Sequence, residues 1–165
     1  MARLSESVPI IYTRAATPGR LGPLARLLSL GVALASLTVL TVAAYVEPNR
    51  AGIGSHSSSL GLPQCGFLQT TNLPCPSCGM TTSFSHFVRG NLLASVYVQP
   101  MGAVLAAMAC ASVWAGLYIA FTGRPAFRLL RLLPGRYYLM SLFGLALAAW
   151  AWKIMLRLNG WDGWG

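Results

Sequence analysis

The sequence predicts an all-α integral membrane protein with three transmembrane helices and one or two short interfacial helices after a cysteine knuckle. Hydrophobic residues make up 55% of the chain and charged residues only 9%, whereas charged residues form roughly a quarter of a soluble domain. Twelve basic residues face three acidic ones, a net charge of +9. The basic residues flank long apolar runs, which indicates a membrane protein and an anionic lipid surface rather than nucleic acid.

The chain divides into a basic flexible tail (1–23), a single membrane domain (24–158) and a Trp/Gly-rich C-terminal tail (159–165). The first span is predicted at 27–46. An uncharged run of this length forms about 30 Å of helix, enough to cross the hydrocarbon core. A cleaved signal peptide is the alternative, but its apolar region is usually only about 7–15 residues long.

Two further spans are predicted at 101–122 and 137–157. The first of these is followed by a Gly cap, a cation and a Pro stop in the run 123–125. In the last span, Lys153 and Arg157 are expected to snorkel toward the membrane surface. The tryptophans of this region are expected to form an interfacial aromatic belt, namely Trp150, Trp152, Trp161 and Trp164.

The cysteine loop and the interfacial helices are predicted within 62–99, after an exposed loop at 52–61. Apolar residues recur from Met80 to Val88 at helical spacing, which predicts a short amphipathic helix with its apolar face inward. A second short apolar segment covers 92–99. Two smaller predictions concern the polar side chains. Arg89 is expected to meet lipid headgroups, and the hydroxyls at 81–83 are expected to cap the first amides of the helix.

The distribution of basic residues predicts the orientation. The N-terminal tail and the connection between the last two spans carry twice as many basic residues as the other two extramembrane segments. The positive-inside rule therefore predicts a cytoplasmic N-terminus. Since the number of spans is odd, the cysteine segment is expected on the opposite side of the membrane.

The run Cys75-Pro76-Ser77-Cys78-Gly79 is the best candidate for chemistry. Pro76 favours an extended backbone at Cys75, and Gly79 permits a tight turn after Cys78. Such a knuckle points two sulfurs to the same side, a geometry that suits tetrahedral zinc. Cys65 is the candidate third ligand and His86 the candidate fourth, with His56 a weaker choice.

The same thiols allow two other interpretations. A thiol near a helix N-terminus has a depressed pKa, so Cys75 can attack a disulfide and Cys78 can resolve the product, as in a membrane thiol–disulfide oxidoreductase. A simple disulfide from Cys65 to Cys75 or Cys78 is the structural alternative, stabilising by about 2–3 kcal/mol. Cys110 lies within an apolar run and is expected to act as a small hydrophobe.

Other classes of function find little support. Three acidic residues provide little material for hydrolytic catalysis. A transporter or channel would need ionisable residues inside a span, and the predicted spans have their charges only where side chains can snorkel.

From Cys65 to about Pro100 the chain resembles a bacterial family of small membrane proteins known as domain of unknown function 2752. Its motif is a cysteine followed by C-P-x-C-G-x-T-R, then a short helix and a Gly-Asp or Gly-Asn break. The matching residues are Cys65, Cys75, Pro76, Cys78, Gly79, Thr81, Gly90, Asn91 and Pro100. The position of the motif arginine is Thr82 here, so any role of that arginine is absent or transferred to Arg89. The resemblance implies a membrane location and a common cysteine site, and it supplies no activity.

Together these observations predict a small polytopic protein of the bacterial inner membrane. Its site at Cys65, Cys75 and Cys78 is expected to act as a metal- or disulfide-stabilised interaction module. The expected partners are the lipid bilayer and other membrane proteins, with zinc as the expected metal. The missing second cysteine pair and Thr82 favour binding or bracing over catalysis.

Overall fold

The computed structural model describes residues 21–63, 65–125 and 135–161, and this part of the chain is helical without a strand. In chain order, the helices are α1 (Pro23–Tyr45), α2 (Ser55–Leu60), α3 (Gly66–Thr71), α4 (Met80–Val88), α5 (Leu92–Val98), α6 (Pro100–Thr122) and α7 (Gly135–Leu158). The predicted fold class is therefore confirmed. Three predicted features lie outside the described residues: most of the basic tail, the arginines at 128 and 131, and Trp164.

Helices α1, α6 and α7 are each long and apolar enough to cross a membrane. They correspond to the three predicted spans, with bounds that differ by a few residues. Both α1 and α6 begin with Pro in the first turn, where the missing amide costs no helical hydrogen bond. Their outward side chains are large and apolar, as at Leu28, Trp114 and Phe121, so a bilayer is the solvent that these surfaces suit.

Helices α1 and α6 pack closely because small residues lie between them. A Cβ at Gly116 would lie 2.6 Å from the Ser29 carbonyl oxygen and 2.8 Å from the Ala33 Cβ. Small residues at such a crossing allow backbones to approach in a membrane, where packing drives helix association. At the far end of the pair, the guanidinium of Arg26 lies against Gly123, the residue at which α6 ends.

The expectation of an inward apolar face on α4 is wrong. The buried side chains of this helix are Thr82, Ser83 and Ser85. The Ser83 hydroxyl contacts the Ser95 hydroxyl at 2.9 Å and lies 3.0 Å from the Gln99 carbonyl oxygen. Small hydroxyls can be buried when each finds a partner, and they let α4 approach α5 and α6 more closely than large apolar residues would.

The hydroxyls at 81–83 do not cap α4 as predicted, since the cap residue is Gly79 and no side chain bonds the first amides. The predicted loop at 52–61 is also wrong in part, because it contains α2. The reason is again a buried hydroxyl. Ser55 is fully buried, contacts the Thr82 hydroxyl at 2.7 Å and accepts a bond from the Asn49 amide at 2.8 Å.

The C-terminal half of α7 packs on the cysteine segment and on the start of the loop that precedes it. Lys153 is fully buried and donates to the Gly52 carbonyl at 3.2 Å, so the prediction that it snorkels to the membrane surface is wrong. Trp150 and Trp152 donate to carbonyl groups of Pro74 and Tyr97 at 3.0 and 2.8 Å. These two rings therefore bind backbone carbonyls directly before Cys75 and in α5, whereas Trp161 is exposed. The interfacial aromatic belt stays a prediction.

Candidate functional site

Three thiols meet where the cysteine segment joins α4. The Sγ atoms of Cys65, Cys75 and Cys78 all lie within 4.8 Å of one another, and those of Cys75 and Cys78 are 2.9 Å apart. Cys65 occupies the cap position before α3, while the other two lie in the turn before α4. All four cysteines of the chain are free thiols, and Cys110 lies apart from the cluster in α6. The structure thus brings together the three cysteines that the sequence predicts.

The turn depends on Gly79. The amide of Cys78 donates to the Cys75 carbonyl at 3.0 Å, and that of Met80 donates to the Ser77 carbonyl at 3.1 Å. Gly79 then has a φ of 87°, a conformation that side chains with a Cβ rarely adopt. A Cβ there would also lie 2.8 Å from the Gly52 carbonyl oxygen. Glycine is therefore required both by the backbone angle and by the close approach of the loop at Gly52.

Gln99, directly before α6, and two side chains of α7 donate hydrogen bonds to backbone carbonyls in and around the turn. Gln99 donates from Nε2 to the Pro76 carbonyl at 3.0 Å. Trp150 donates to the buried Pro74, and Lys153 donates to Gly52. Sequence reasoning missed all three as supports of the site. The available signals were a Gln directly before Pro100 and a Lys within an otherwise apolar helix.

The thiols of Cys75 and Cys78 differ in acidity. Burial alone raises the pKa of Cys75, but hydrogen bonds from Cys78, Ser77 and Cys65 outweigh it and lower the pKa to about 7. Burial and the bond with Cys75 raise the pKa of Cys78 to about 12. At neutral pH the half-buried Cys75 is therefore partly ionised to the thiolate, whereas the buried Cys78 stays protonated and donates a hydrogen bond to it.

Of the two candidate histidine ligands, only the side chain of His86 is described by the structure. His86 lies half-buried in α4 and does not join the three cysteines among the described side chains. Burial and the nearby charge of Arg89 lower its pKa, so it is neutral at physiological pH. The side chain of His56 lies outside what the structure describes. A role for either histidine as a ligand stays a prediction.

Arg89 and Thr82 have structural partners. The Arg89 guanidinium donates to the carbonyl groups of Val46 and Ala44, both at 3.0 Å, at the C-terminal end of α1. A cation at this end of a helix dipole is stabilising, so Arg89 has partners within the protein. Its predicted contact with lipid headgroups stays a prediction. Thr82 is fully buried, and its hydroxyl contacts that of Ser55.

A small cavity adjoins the cluster. Its volume is about 150 Å³, and its lining includes Cys65 and Cys78. The remaining lining combines apolar and polar groups, namely Asn49, Ile53, Gly54, Ser57, Leu68 and Gly79. The site therefore includes space beside two of the three cysteines.

The fold and the site define a helical protein of the multi-pass membrane class with a three-cysteine cluster at one end of its bundle. Residues 65–113 match a family described as "Protein of unknown function (DUF2752)", which confirms the predicted resemblance to this family. The match covers the cysteine segment, α4, α5 and the first part of α6. No curated protein and no solved structure matches the chain. Because the family has no established activity, the function must be argued from the site.

Proposed function

We propose that Cys65, Cys75 and Cys78 bind one Zn²⁺ through their thiolates, and that the metal holds the extramembrane segment in the shape that other membrane proteins recognise. The observation that carries this proposal is the convergence of three Sγ atoms within 4.8 Å. Thiolates favour zinc over hard cations. Three sulfurs at about 2.3 Å from a tetrahedral zinc are about 3.8 Å apart, so only small shifts of the turn are needed.

The chain around the cluster supports a bracing role. The thiols come from two separate segments, one before α3 and one before α4. A metal that joins them would close the loop between Cys65 and Cys75, where the described residues form only the short helix α3 and a turn. Because Trp150 donates to Pro74, directly before Cys75, a metal would also fix part of the surface on which α7 packs.

Zinc content and thiol protection in the purified full-length protein test this proposal. We expect about one zinc per chain, with Cys65, Cys75 and Cys78 protected from alkylation until a chelator is added. Cys110→Ala is the matched control and should keep the metal. The proposal fails if the wild-type protein holds no more zinc than a Cys75→Ser variant.

The contrast in acidity between Cys75 and Cys78 favours a second candidate, a thiol–disulfide oxidoreductase. The Cys75 thiolate would attack a substrate disulfide and release one substrate thiol. Cys78 would then lose its proton and attack the mixed disulfide, which releases the second thiol. The Cys75–Cys78 pair would thereby lose two electrons to the substrate. A metal-free protein in which this pair cycles reversibly with a redox buffer would favour this candidate over zinc.

The proposed setting is the bacterial inner membrane with a cytoplasmic N-terminus. Arg26 and Arg136 lie in the first turns of α1 and α7, at the helix ends far from the cysteine cluster. Basic residues at these ends support this orientation. In this setting the cysteine site faces the extracytoplasmic side.

A further inference from the structure

The cavity beside the thiols carries an inference that rests on the proposed metal site. Among the described side chains, the candidate metal-ligand group consists of three cysteines. Zinc usually takes four ligands, and sites with three protein ligands keep one position for an exogenous molecule. The cavity of about 150 Å³ is lined in part by Cys65 and Cys78, so it offers space next to two of the three candidate ligands.

We propose that the metal keeps this fourth position open, and that the cavity binds a small neutral nitrogen donor of imidazole type. The site is then an exchangeable ligand site rather than a closed structural one.

The size of the cavity limits the ligand. A cavity of about 150 Å³ in another protein accommodates benzene, so a five-membered ring fits the space measured here. Ile53 and Leu68 provide apolar walls for the faces of a ring. A large metabolite or a peptide side chain with a bulky ring system does not fit this volume.

The lining also favours a ligand that donates a hydrogen bond. The Ser57 hydroxyl borders the cavity and donates to the Gly54 carbonyl at 2.8 Å. A hydroxyl that donates retains lone pairs that can accept. An imidazole bound to the metal through one nitrogen carries an N–H on the other, and this N–H matches the Ser57 oxygen.

Charge favours a nitrogen donor over a fourth thiolate. Three thiolates and one Zn²⁺ sum to −1, and a thiolate ligand would make the charge of this partly buried site −2. An additional charge removed from water is costly unless it is paired. A neutral nitrogen donor adds no charge and is therefore the favoured class.

The test uses the full-length protein in detergent, loaded with Co²⁺ in place of Zn²⁺ and titrated with imidazole. Cobalt reports its ligands through visible d–d absorption, and its thiolate ligands through charge-transfer absorption. We expect a saturable one-site change of the d–d bands while the charge-transfer bands persist. If imidazole does not change the d–d bands of the cobalt-loaded protein, the inference is overturned.

Ser57→Leu fills the cavity and should weaken imidazole binding at least tenfold with unchanged cobalt stoichiometry. Ser59→Leu is the matched control, because Ser59 lies on the same helix, is exposed and does not border the cavity. Equal imidazole affinity in these two variants contradicts the inference. If Ser57→Leu fails to fold, Ser57→Ala replaces it and should bind imidazole about two- to tenfold more weakly than wild type, as expected for one lost hydrogen bond.

His56→Ala separates the inference from the proposed function. If His56 supplies the fourth ligand, imidazole should change the d–d bands of the variant but not those of the wild-type protein. This result overturns the open fourth position but leaves the metal site intact. If cobalt gives no thiolate charge-transfer bands, or gives equal bands in Cys75→Ser, the metal site itself fails.

Discussion

At the scale of single residues, Cys75 and Cys78 show how a short turn separates two identical side chains. Cys75 is half-buried and receives hydrogen bonds from its neighbours, whereas Cys78 is buried beneath the turn. Hydrogen bonds to the charged form lower a pKa, and burial raises the pKa of a thiol. The turn therefore makes Cys75 the more acidic thiol and keeps Cys78 protonated.

This difference predicts the pH dependence of alkylation in the metal-free protein. Below pH 7 the Cys75 thiol is protonated, so its alkylation rate should fall about tenfold for each unit of pH, and above about 7 the rate should level off. Removal of the donor in Cys78→Ala should move the midpoint up toward the ordinary cysteine value. The rate at Cys75 is measured by mass spectrometry with a Cys110→Ala background. A wild-type midpoint near about 8.5 contradicts the prediction.

Gly79 supports a second prediction at this scale. Gly79→Ala should lower the free energy of unfolding by about 1–2 kcal/mol for the left-handed backbone, plus a further loss from the contact with Gly52. Gly90→Ala is the matched control, since Gly90 has a similar positive φ but no atom near a new Cβ. Thermal unfolding of both variants isolates the steric part. Equal destabilisation would show that Gly52 yields to the added methyl group.

At the scale of elements, α7 is the helix whose placement depends most on the site. Its C-terminal half bonds the cysteine segment through Trp150 and Lys153, and Arg157 lies 3.3 Å from the Asn72 side-chain oxygen. In its N-terminal half, large apolar side chains such as Leu139, Met140 and Phe143 are mostly exposed to the bilayer. The cysteine segment and the loop at Gly52 therefore supply several of the polar contacts that hold α7 in the described protein.

Trp150→Phe tests this attachment. The change keeps an aromatic ring but leaves the carbonyl of the buried Pro74 without its donor, which should cost about 1–3 kcal/mol. Zinc affinity should fall as well, because Pro74 directly precedes Cys75. Trp114→Phe is the control, since Trp114 is 72% exposed on α6. If the Trp150→Phe protein is as stable as the Trp114→Phe protein, the bond from Trp150 to Pro74 does not contribute to the stability of the fold.

The sequence allowed the spans and the three thiols to be predicted, because both depend on local information. An uncharged apolar run marks α6, and the C-P-x-C-G spacing marks the turn at Cys75 and Cys78. The buried face of α4 could not be predicted in this way. Ser83 is buried because Ser95 and Gln99, from later in the chain, supply its partners.

Lys153 escaped prediction for the same reason. A Lys near a helix end ordinarily snorkels, and its carbonyl partner at Gly52 belongs to a segment far away in sequence. The helix α2 depends in turn on the contact between Ser55 and Thr82. Such polar contacts between distant segments have no period or motif from which they can be inferred.

At the scale of the whole molecule, the polar contacts collect at one end of the bundle. The end of α1, the start of α6 and the end of α7 all meet the segment that carries the thiols. The opposite end holds Arg26, Arg124 and Arg136. This asymmetry predicts that chemistry and recognition occur on one side of the membrane, and that the arginine-rich end faces the cytoplasm.

Labelling in cells tests this orientation. After chelation, a membrane-impermeant maleimide added to bacteria with a permeabilised outer membrane should modify Cys75 in a Cys110→Ala background. A cysteine introduced at Ser7, in a chain whose native cysteines are replaced by serine, should react only after the inner membrane is dissolved. Labelling of the introduced cysteine in intact cells, with Cys75 protected, would mean that the topology is reversed.

The most direct test of the central claim is X-ray absorption spectroscopy at the zinc edge of the purified full-length protein. The three-thiolate site predicts three sulfur scatterers at about 2.3 Å and one lighter ligand at about 2.0–2.1 Å. Cys65→Ser should reduce the sulfur count by one, while Cys110→Ala should leave the spectrum unchanged. A protein without zinc, or a zinc whose sulfur count is the same in the wild type and in Cys65→Ser, would contradict the claim.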